Sequence, residues 1–235
     1  MKLTEKGILI HRYDYSETSL IILLLTENEG LKSFLFQGAK RKKGMVFSPL
    51  SLVEFTYYKR KDSDLGKLTE LNLLETNHEI VFSPIKSSVA FFIAELIQKT
   101  CKPGHVDKAF FQFIWFEIIW ISHSEELGNY IFWFLGQYAN YSGIQPIVEF
   151  PNPSIFDLKN GKLTALRPSH MEYIEGSDIH WFENCIENKK EEFLALQIPQ
   201  IEKRLCIEKW IKYFDFHFHG LRELKSLDII RSIHD

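Results

Sequence analysis

The chain has 235 residues, of which 45% are hydrophobic and 25% charged, proportions typical of an ordinary globular protein. Its formal net charge of −3 excludes a global positive field that would attract nucleic acid. Three scattered cysteines, Cys101, Cys185 and Cys206, exclude a disulfide framework. Because the N-terminus also has no apolar signal segment, we expect a cytoplasmic protein.

Residues 7–76 read as a β-domain, because short β-prone segments with alternating apolar side chains are separated by turn residues. The predicted strands cover residues 7–13, 19–26, 31–37, 51–59 and 67–74. Five short strands favour a closed barrel, because closure removes exposed sheet edges. A five-stranded barrel of this size is the OB-fold, and spacing alone leaves an SH3-like barrel as the alternative.

Two runs of positive charge interrupt this pattern. Four cations stand between Gly38 and Gly44, and Lys59-Arg60-Lys61 ends the fourth predicted strand. Residues 32–61 contain eight Lys or Arg and one acid, Glu54, although the whole chain is slightly negative. Local concentration of charge governs binding to a polyanion. The alternative is a solvated turn that only keeps a strand edge soluble.

In a small barrel both runs can fall on one side, where they would form a cationic groove. Strand alternation turns either Tyr57 or Tyr58 outward beside them. An exposed ring in a cationic groove is how proteins hold single strands without sequence preference. The predicted DNA-binding residues are Arg12, Lys32, Lys40, Arg41, Lys42, Lys43, Tyr57, Lys59, Arg60 and Lys61.

From residue 83 the apolar period becomes helical. Ser83 is a predicted N-cap, Pro84 fits the first helical position, and Pro103-Gly104 ends that helix. Further helices are predicted at about 106–121, 125–141, 178–188 and 199–218, with a short one from Ser226. Asn160-Gly161 marks a β-hairpin insertion within about 145–175.

The predicted fold class is therefore α+β, with an OB-fold barrel in residues 1–80 and a helical domain in residues 81–235. The most apolar run, residues 110–121, is too short to span a membrane, so we expect no membrane partner.

Candidate catalytic and metal sites are weak. The chain has no GxxxxGK[ST] phosphate loop, and His11, Asp14 and Ser16 lack a nucleophile elbow, so we expect no enzyme. His217 and His219 would point about 200° apart on a helix, so they cannot ligate one ion there. We therefore expect no metal and no other cofactor.

An ordered set of segments resembles the bacterial RecO family of recombination mediators. These segments are residues 6–21, 24–30, 37–41, 50–54, 68–71 and 220–227. The resemblance implies an OB-fold on a helical domain, binding of single- and double-stranded DNA, and annealing of complementary strands. It also implies work with RecR in loading RecA onto DNA coated by single-strand-binding protein. The acidic C-terminal tail of that protein would dock on the helical domain, and the protein would associate with the nucleoid.

The resemblance maps the family's DNA contacts to residues 40–43 and the end of the fourth strand. It also includes one departure, because many relatives carry a four-cysteine zinc finger near residues 145–175. This chain has no cysteine between Cys101 and Cys185. We therefore expect that zinc is absent and that ordinary packing holds the hairpin. An interaction adaptor, whose helical domain docks partner tails with DNA contact secondary, stays the alternative function.

Overall fold

The computed structural model describes residues 2–41, 48–58, 65–74, 77–125, 127–218 and 220–227. The chain divides into two compact units, Met1–Glu125 and Glu126–Asp235. The first unit begins with five strands: β1 (Lys2–Asp14), β2 (Leu20–Thr26), β3 (Gly30–Phe36), β4 (Leu52–Tyr58) and β5 (Leu65–Leu73).

These strands close into a barrel in the order β1-β2-β3-β5-β4. Strand β1 pairs along its first half with β4 and along its second half with β2. All neighbouring pairs are antiparallel except β3 and β5, which are parallel. This is the Greek-key arrangement of an OB-like barrel, so the predicted fold is confirmed.

The barrel interior is filled by alternate side chains of every strand, as the period of two requires. On β4 these are Val53, Phe55 and Tyr57. Phe34 packs edge-on against both aromatic rings, with centroids 5.2 Å apart. Gly66 lies against Phe34, where an added Cβ would be 2.3 Å from a ring carbon, so the close packing requires glycine.

Three helices complete the first unit: α1 (Asn77–Phe82), α2 (Pro84–Thr100) and α3 (Lys108–His123). Helix α1 was not predicted. Helix α2 begins as predicted, because the Ser83 hydroxyl accepts a hydrogen bond from the Lys86 amide at 3.3 Å. The link after α2 is tied to the barrel, since the Gly104 amide donates to the Leu31 carbonyl at 3.0 Å.

The second unit contains four helices and a small four-stranded sheet in the described residues. The helices are α4 (Tyr130–Tyr141), α5 (His180–Glu187), α6 (Lys190–Leu194) and α7 (Gln200–Phe218). The strands β6 (Ile147–Val148), β7 (Ile155–Asp157), β8 (Lys162–Thr164) and β9 (Tyr173–Glu175) pair in the order β6-β8-β7-β9. The predicted hairpin is β7 and β8, and one short strand flanks it on each side.

Aromatic side chains form the core of the second unit. Phe156 of β7 contacts Phe182 of α5 and Trp210 of α7, with ring centroids 5.1 Å and 5.9 Å apart. Within the described part of the chain, no helix is both long enough and apolar enough to cross a membrane. Strands give way to helix at α1, although the first compact unit extends to Glu125. The division into a barrel domain of residues 1–80 and a helical domain of residues 81–235 stays a prediction.

Candidate nucleic-acid interface

The strand directions assign each connection to one of the two ends of the barrel. At one end, β1 and β3 finish and β2 and β4 begin. We call it the Lys40 end, and the residues located there include Arg12, Asp14, Tyr15 and Lys40. At the other, β2 and β4 finish while β1, β3 and β5 begin. We call it the Tyr58 end, after Lys2, Tyr58 and Lys67. Tyr58, the last described residue before the second cationic run, pairs with Lys67, and Lys67 pairs with Leu35 near the end of β3, so the expectation that the two runs share one side stays a prediction.

At the Tyr58 end, strand register places an aromatic ring between two cations. Tyr58 pairs directly with Lys2 of β1 on one side and with Lys67 of β5 on the other. Directly paired residues have Cβ atoms about 4.5–5.5 Å apart. The inward neighbours Leu3, Tyr57 and Leu68 pack in the core, so these three side chains point outward. Tyr58 is 45% exposed. The Tyr58 end can therefore hold a stacked base and nearby phosphates.

Charge at this end is only partly neutralised. The Lys2 ammonium lies 3.0 Å from a Glu70 carboxylate oxygen, and both side chains are about half exposed. The hydrogen bond and charge of Glu70 raise the pKa of Lys2, with Tyr58 adding a smaller effect in the same direction. The predicted residues Lys59, Arg60 and Lys61 follow Tyr58 directly but lie outside the described residues.

The choice of Tyr57 as the exposed ring is corrected to Tyr58. Tyr57 is 1% exposed, in the barrel core, and its hydroxyl donates to Glu29 at 3.3 Å. Burial, with the carboxylates of Glu5 and Glu29, raises the pKa of Tyr57, so the hydroxyl stays protonated. The ring cannot stack on a base while the barrel is closed. The sequence contained a signal for this, because Tyr58 shares its side of the strand with the charged Glu54.

Lys32, another predicted residue, forms an ion pair. Its ammonium lies 2.8 Å from the Glu29 carboxylate that also accepts from Tyr57, and its side chain is only 17% exposed. The pair closes the barrel interior beneath the turn between β2 and β3. Lys32 is held in this ion pair and lines a groove with Ser33 and Leu65, so its role in binding stays a prediction.

Two predicted residues, Arg12 and Lys40, lie at the Lys40 end of the barrel. The Lys40 ammonium lies 2.9 Å from the Asp14 carboxylate, and its amide donates to the Thr18 carbonyl at 3.2 Å. Arg12 is exposed and lies on the same side of β1 as Asp14, two residues away. Tyr15, at the tip of β1, is 60% exposed. Two cations and an exposed ring therefore lie at this end of the barrel too.

The rest of this predicted run consists of Arg41, Lys42 and Lys43. Arg41 ends a short 3-10 helix, Ala39–Arg41, and Lys42 and Lys43 lie outside the described residues.

The three candidate catalytic residues, His11, Asp14 and Ser16, contact other residues rather than one another. Asp14 pairs with Lys40, the Ser16 hydroxyl accepts from the Ser19 amide, and His11 packs edge-on against Tyr13. Burial and the neighbouring Arg12 lower the pKa of His11.

In the second unit, the position expected for a zinc finger is organised by a carboxylate. Asp157 is buried, and its oxygens accept from the amides of Lys159 and Asn160 at 3.1 and 2.9 Å. They also accept from the Asn160 side chain at 2.8 Å, and His170 lies 3.4 Å away. These residues do not fit a four-cysteine zinc site. No group of three or more His, Cys, Asp or Glu among the described residues is arranged to hold a metal ion.

Comparisons with known proteins agree with this architecture. Residues 1–77 match the family model described as Recombination protein O N terminal. Three relatives carry the name DNA repair protein RecO. That of Bacteroides fragilis is 26% identical, across 97% of this chain and 98% of its own length. That of Flavobacterium psychrophilum is 23% identical, across 99% of both chains. That of Porphyromonas gingivalis is 23% identical, across 100% of both. The predicted resemblance to the RecO family is confirmed.

The RecO match covers the barrel by its family model and the helical part through the full-length relatives. Sequence reasoning missed Lys2 and Lys67, which come next to Tyr58 only through strand pairing. Their spacing in the chain gives no sign of this, since 65 positions separate them. Only the register of β4 against both neighbours could have identified them.

Proposed function

We propose that this protein is a DNA repair and recombination mediator that binds single- and double-stranded DNA through its barrel. The proposal extends to annealing of complementary strands and, with RecR, to helping load RecA onto DNA coated by single-strand-binding protein. It includes a cytoplasmic, nucleoid-associated location and no cofactor. Support comes from full-length similarity to relatives named DNA repair protein RecO and from the OB-like barrel.

The observation that carries DNA binding is the Tyr58 end. A half-exposed ring lies between Lys2 and Lys67, and three more cations follow it in the chain. In this arrangement the ammonium groups neutralise phosphates while the ring stacks on a base. No hydrogen bond to a base edge is needed, so binding is expected to tolerate any sequence.

Annealing follows from the same charges. Two single strands repel through their phosphates, and cations that neutralise some of them lower this repulsion where the strands meet. Pairing can then nucleate without an energy source, which agrees with the absence of a GxxxxGK[ST] motif from the sequence. The proposed role of the protein is to hold and concentrate strands rather than to transform them chemically.

A groove in the first unit favours the adaptor as second candidate function. It lies between the start of α2 and the end of α3, and its lining includes Phe82, Lys86 and His123. Phe82 is 81% exposed, which is unusual for so large an apolar ring. A partner's apolar segment could bind there, whereas Glu79 and Glu125 in the same lining disfavour a strongly acidic one.

A salt series tests DNA binding. We expect the log–log slope for single-stranded DNA to lie near about −3 to −5, because each of about four to seven neutralised phosphates contributes about −0.7. Lys67→Ala should weaken binding and make the slope less steep by about 0.7. The matched control is Lys212→Ala, an exposed lysine of α7, which should change neither. Equal effects of the two variants would contradict the proposed interface.

A further inference from the structure

A groove on the outer surface of the first unit lies beside the Tyr58 end. Its walls come from β2, β3, the start of β5 and the link between α2 and α3, and its volume is about 460 Å³. The lining includes the apolar residues Leu23, Leu65 and Val106. Ser33 pairs in register with Leu23 on one side and with Leu65 on the other. Because Leu65 and Val106 are 37% and 42% exposed, this apolar lining is open to solvent.

The wall made by the link is held against the barrel. The Gly104 amide donates to the Leu31 carbonyl at 3.0 Å, and Pro103 forms a parallel bridge with the same Leu31. The His105 amide donates to the Lys102 carbonyl at 3.2 Å, which closes a turn in the link. The folded chain therefore forms the groove by itself, without help from a ligand.

Cations border this apolar lining. Lys67 lies two residues after Leu65 on the same outward side of β5, about 7 Å along the strand. Lys102, in the link, is exposed, and Lys32 belongs to the lining itself. An apolar groove with a cationic border fits a ligand that combines flat apolar surfaces with phosphates.

Two acids lie near this border, and both are engaged. A Glu29 carboxylate oxygen lies 2.8 Å from the Lys32 ammonium, and both side chains are mostly buried. Asp107 caps α3, where its carboxylate accepts a hydrogen bond from the Phe110 amide at 2.9 Å. Among these residues, three lysines against two acids leave a small positive charge, which suits a phosphate chain.

We propose that the groove receives a base of the single strand that is held at the Tyr58 end. Lys67 lies between the groove and Tyr58, with which it pairs directly. A strand whose phosphate contacts Lys67 therefore has one base at Tyr58 and another at the groove. This inference rests on the proposed DNA binding and adds a base-binding site to it.

The base turns out of the stack when it enters the groove. Its faces lie against Leu65 and Val106, and its polar edge meets the Ser33 hydroxyl, which donates or accepts a hydrogen bond as the base requires. The contribution of the groove comes from the base rather than from phosphate, so it does not depend on salt.

Two strands of equal length separate base binding from phosphate binding: a short oligothymidine, and the same sugar–phosphate chain without bases. Val106→Trp fills the groove with an indole ring. It should lower the affinity for oligothymidine about tenfold, an effect of the size that one held base contributes, and leave the affinity for the abasic strand nearly unchanged. Lys67→Ala should weaken both, since both strands carry phosphates. Fluorescence anisotropy measures all the affinities.

The matched control is Ile85→Trp, which adds an indole ring at an exposed position of α2 and should change neither affinity. Leu65→Ala, on the opposite wall, removes apolar surface without adding bulk, and it should lower the affinity for oligothymidine about threefold. This second variant decides the question by itself if thermal unfolding shows that Val106→Trp is destabilised.

Equal weakening of both strands by Val106→Trp would overturn base binding, because the groove would then contact the phosphate chain. If neither groove variant changes the affinity for oligothymidine while Lys67→Ala does, the groove is not part of the interface, and the inference fails although DNA binding stands. If the wild-type protein binds neither strand, the proposed function fails as well.

Discussion

The barrel and the small sheet of the second unit use their polar side chains in opposite ways. The barrel closes on itself around an apolar core, so Tyr58 and Lys67 on its outer surface stay available to a ligand. The small sheet has strands of only two or three residues, and Asp157 must anchor its turn from inside. In the closed barrel, charged side chains are therefore available for binding, whereas in the small open sheet a charged side chain stabilises the fold itself.

The largest expected effect removes the barrel's internal support. Phe34→Ala should lower the free energy of unfolding of the first unit by about 3–5 kcal/mol, because the ring is fully buried between Phe55 and Tyr57. Denaturant unfolding measures this loss. A loss below about 1 kcal/mol would indicate that the barrel does not depend on this packing, and the contrast with the small sheet would fail.

The second effect tests the anchor of the small sheet. Asp157→Ala leaves two amides and the Asn160 side chain without their acceptor, so we expect about 1–3 kcal/mol of destabilisation in the second unit. Thermal unfolding gives the measurement. The matched control is Glu172→Gln, since Glu172 is half exposed and contacts the same His170. If the control costs as much as the test variant, the anchoring role is wrong.

Lowering the pH provides a second test of the anchoring role of Asp157. Burial of Asp157 would raise its pKa, but hydrogen bonds from Asn160 and Lys159, with the charge of His170, outweigh burial and lower it. A carboxyl with a lowered folded pKa adds stability above its unfolded value of about 3.8. This stability is lost as the pH falls through the folded value. Unfolding curves from about pH 6 to about pH 2 should therefore show an acid loss that is smaller in Asp157→Ala.

A third effect moves binding without moving stability. Tyr58→Ala should weaken single-strand binding by about 1–3 kcal/mol, the usual contribution of one stacked base. Its unfolding midpoint should hardly change, because the ring is outside the core. Fluorescence anisotropy with a labelled oligothymidine measures the affinity, and Tyr58→Phe, which keeps the ring, should bind normally. Weak binding by Tyr58→Phe would mean that the hydroxyl rather than stacking matters.

The smallest effect is a gain. Asp14→Asn removes the carboxylate that lies 2.9 Å from Lys40, so the ammonium becomes free for phosphate. Affinity at low salt should rise about 1.4- to fivefold, since exposed ion pairs contribute about 0.2–1 kcal/mol. High salt should remove the difference. A fall in affinity would show that Asp14 positions Lys40 for binding rather than competing for it.

Much of the fold could be predicted, because periodicity is local. The five strands and the longer helices follow from alternation and helical spacing, and Ser83 marks the start of α2 by its chemistry alone. Helix α1, with six residues, is too short to carry a period. The Asp157 anchor was missed because packing was expected to suffice, although an Asp three residues before Asn160 is a turn signal.

The candidate site was predicted less well, because it depends on register. Arg12 and Lys40 were predicted from the local charge and lie at the same end of the barrel, where Lys40 pairs with Asp14, two residues after Arg12. The role of Lys32 stays a prediction, and spacing alone does not reveal that its ammonium pairs with Glu29. Whether the two cationic runs share one side depends on strand pairing, because Tyr58 reaches the end of β3 only through Lys67 and Leu35, and no spacing rule reveals this.

The contact between α2 and β1 has a practical consequence for dissecting this protein. Ile8 lies on the outer side of β1 and is fully buried. Gly30, at φ +66°, must be glycine, because a side chain there would clash with the backbone of His105. A fragment that ends near residue 80 would lack α2, so the apolar outer side of β1 would be exposed to solvent. Deletion experiments should therefore place the cut after Glu125, so that any loss of activity reflects the removed residues rather than aggregation of the fragment.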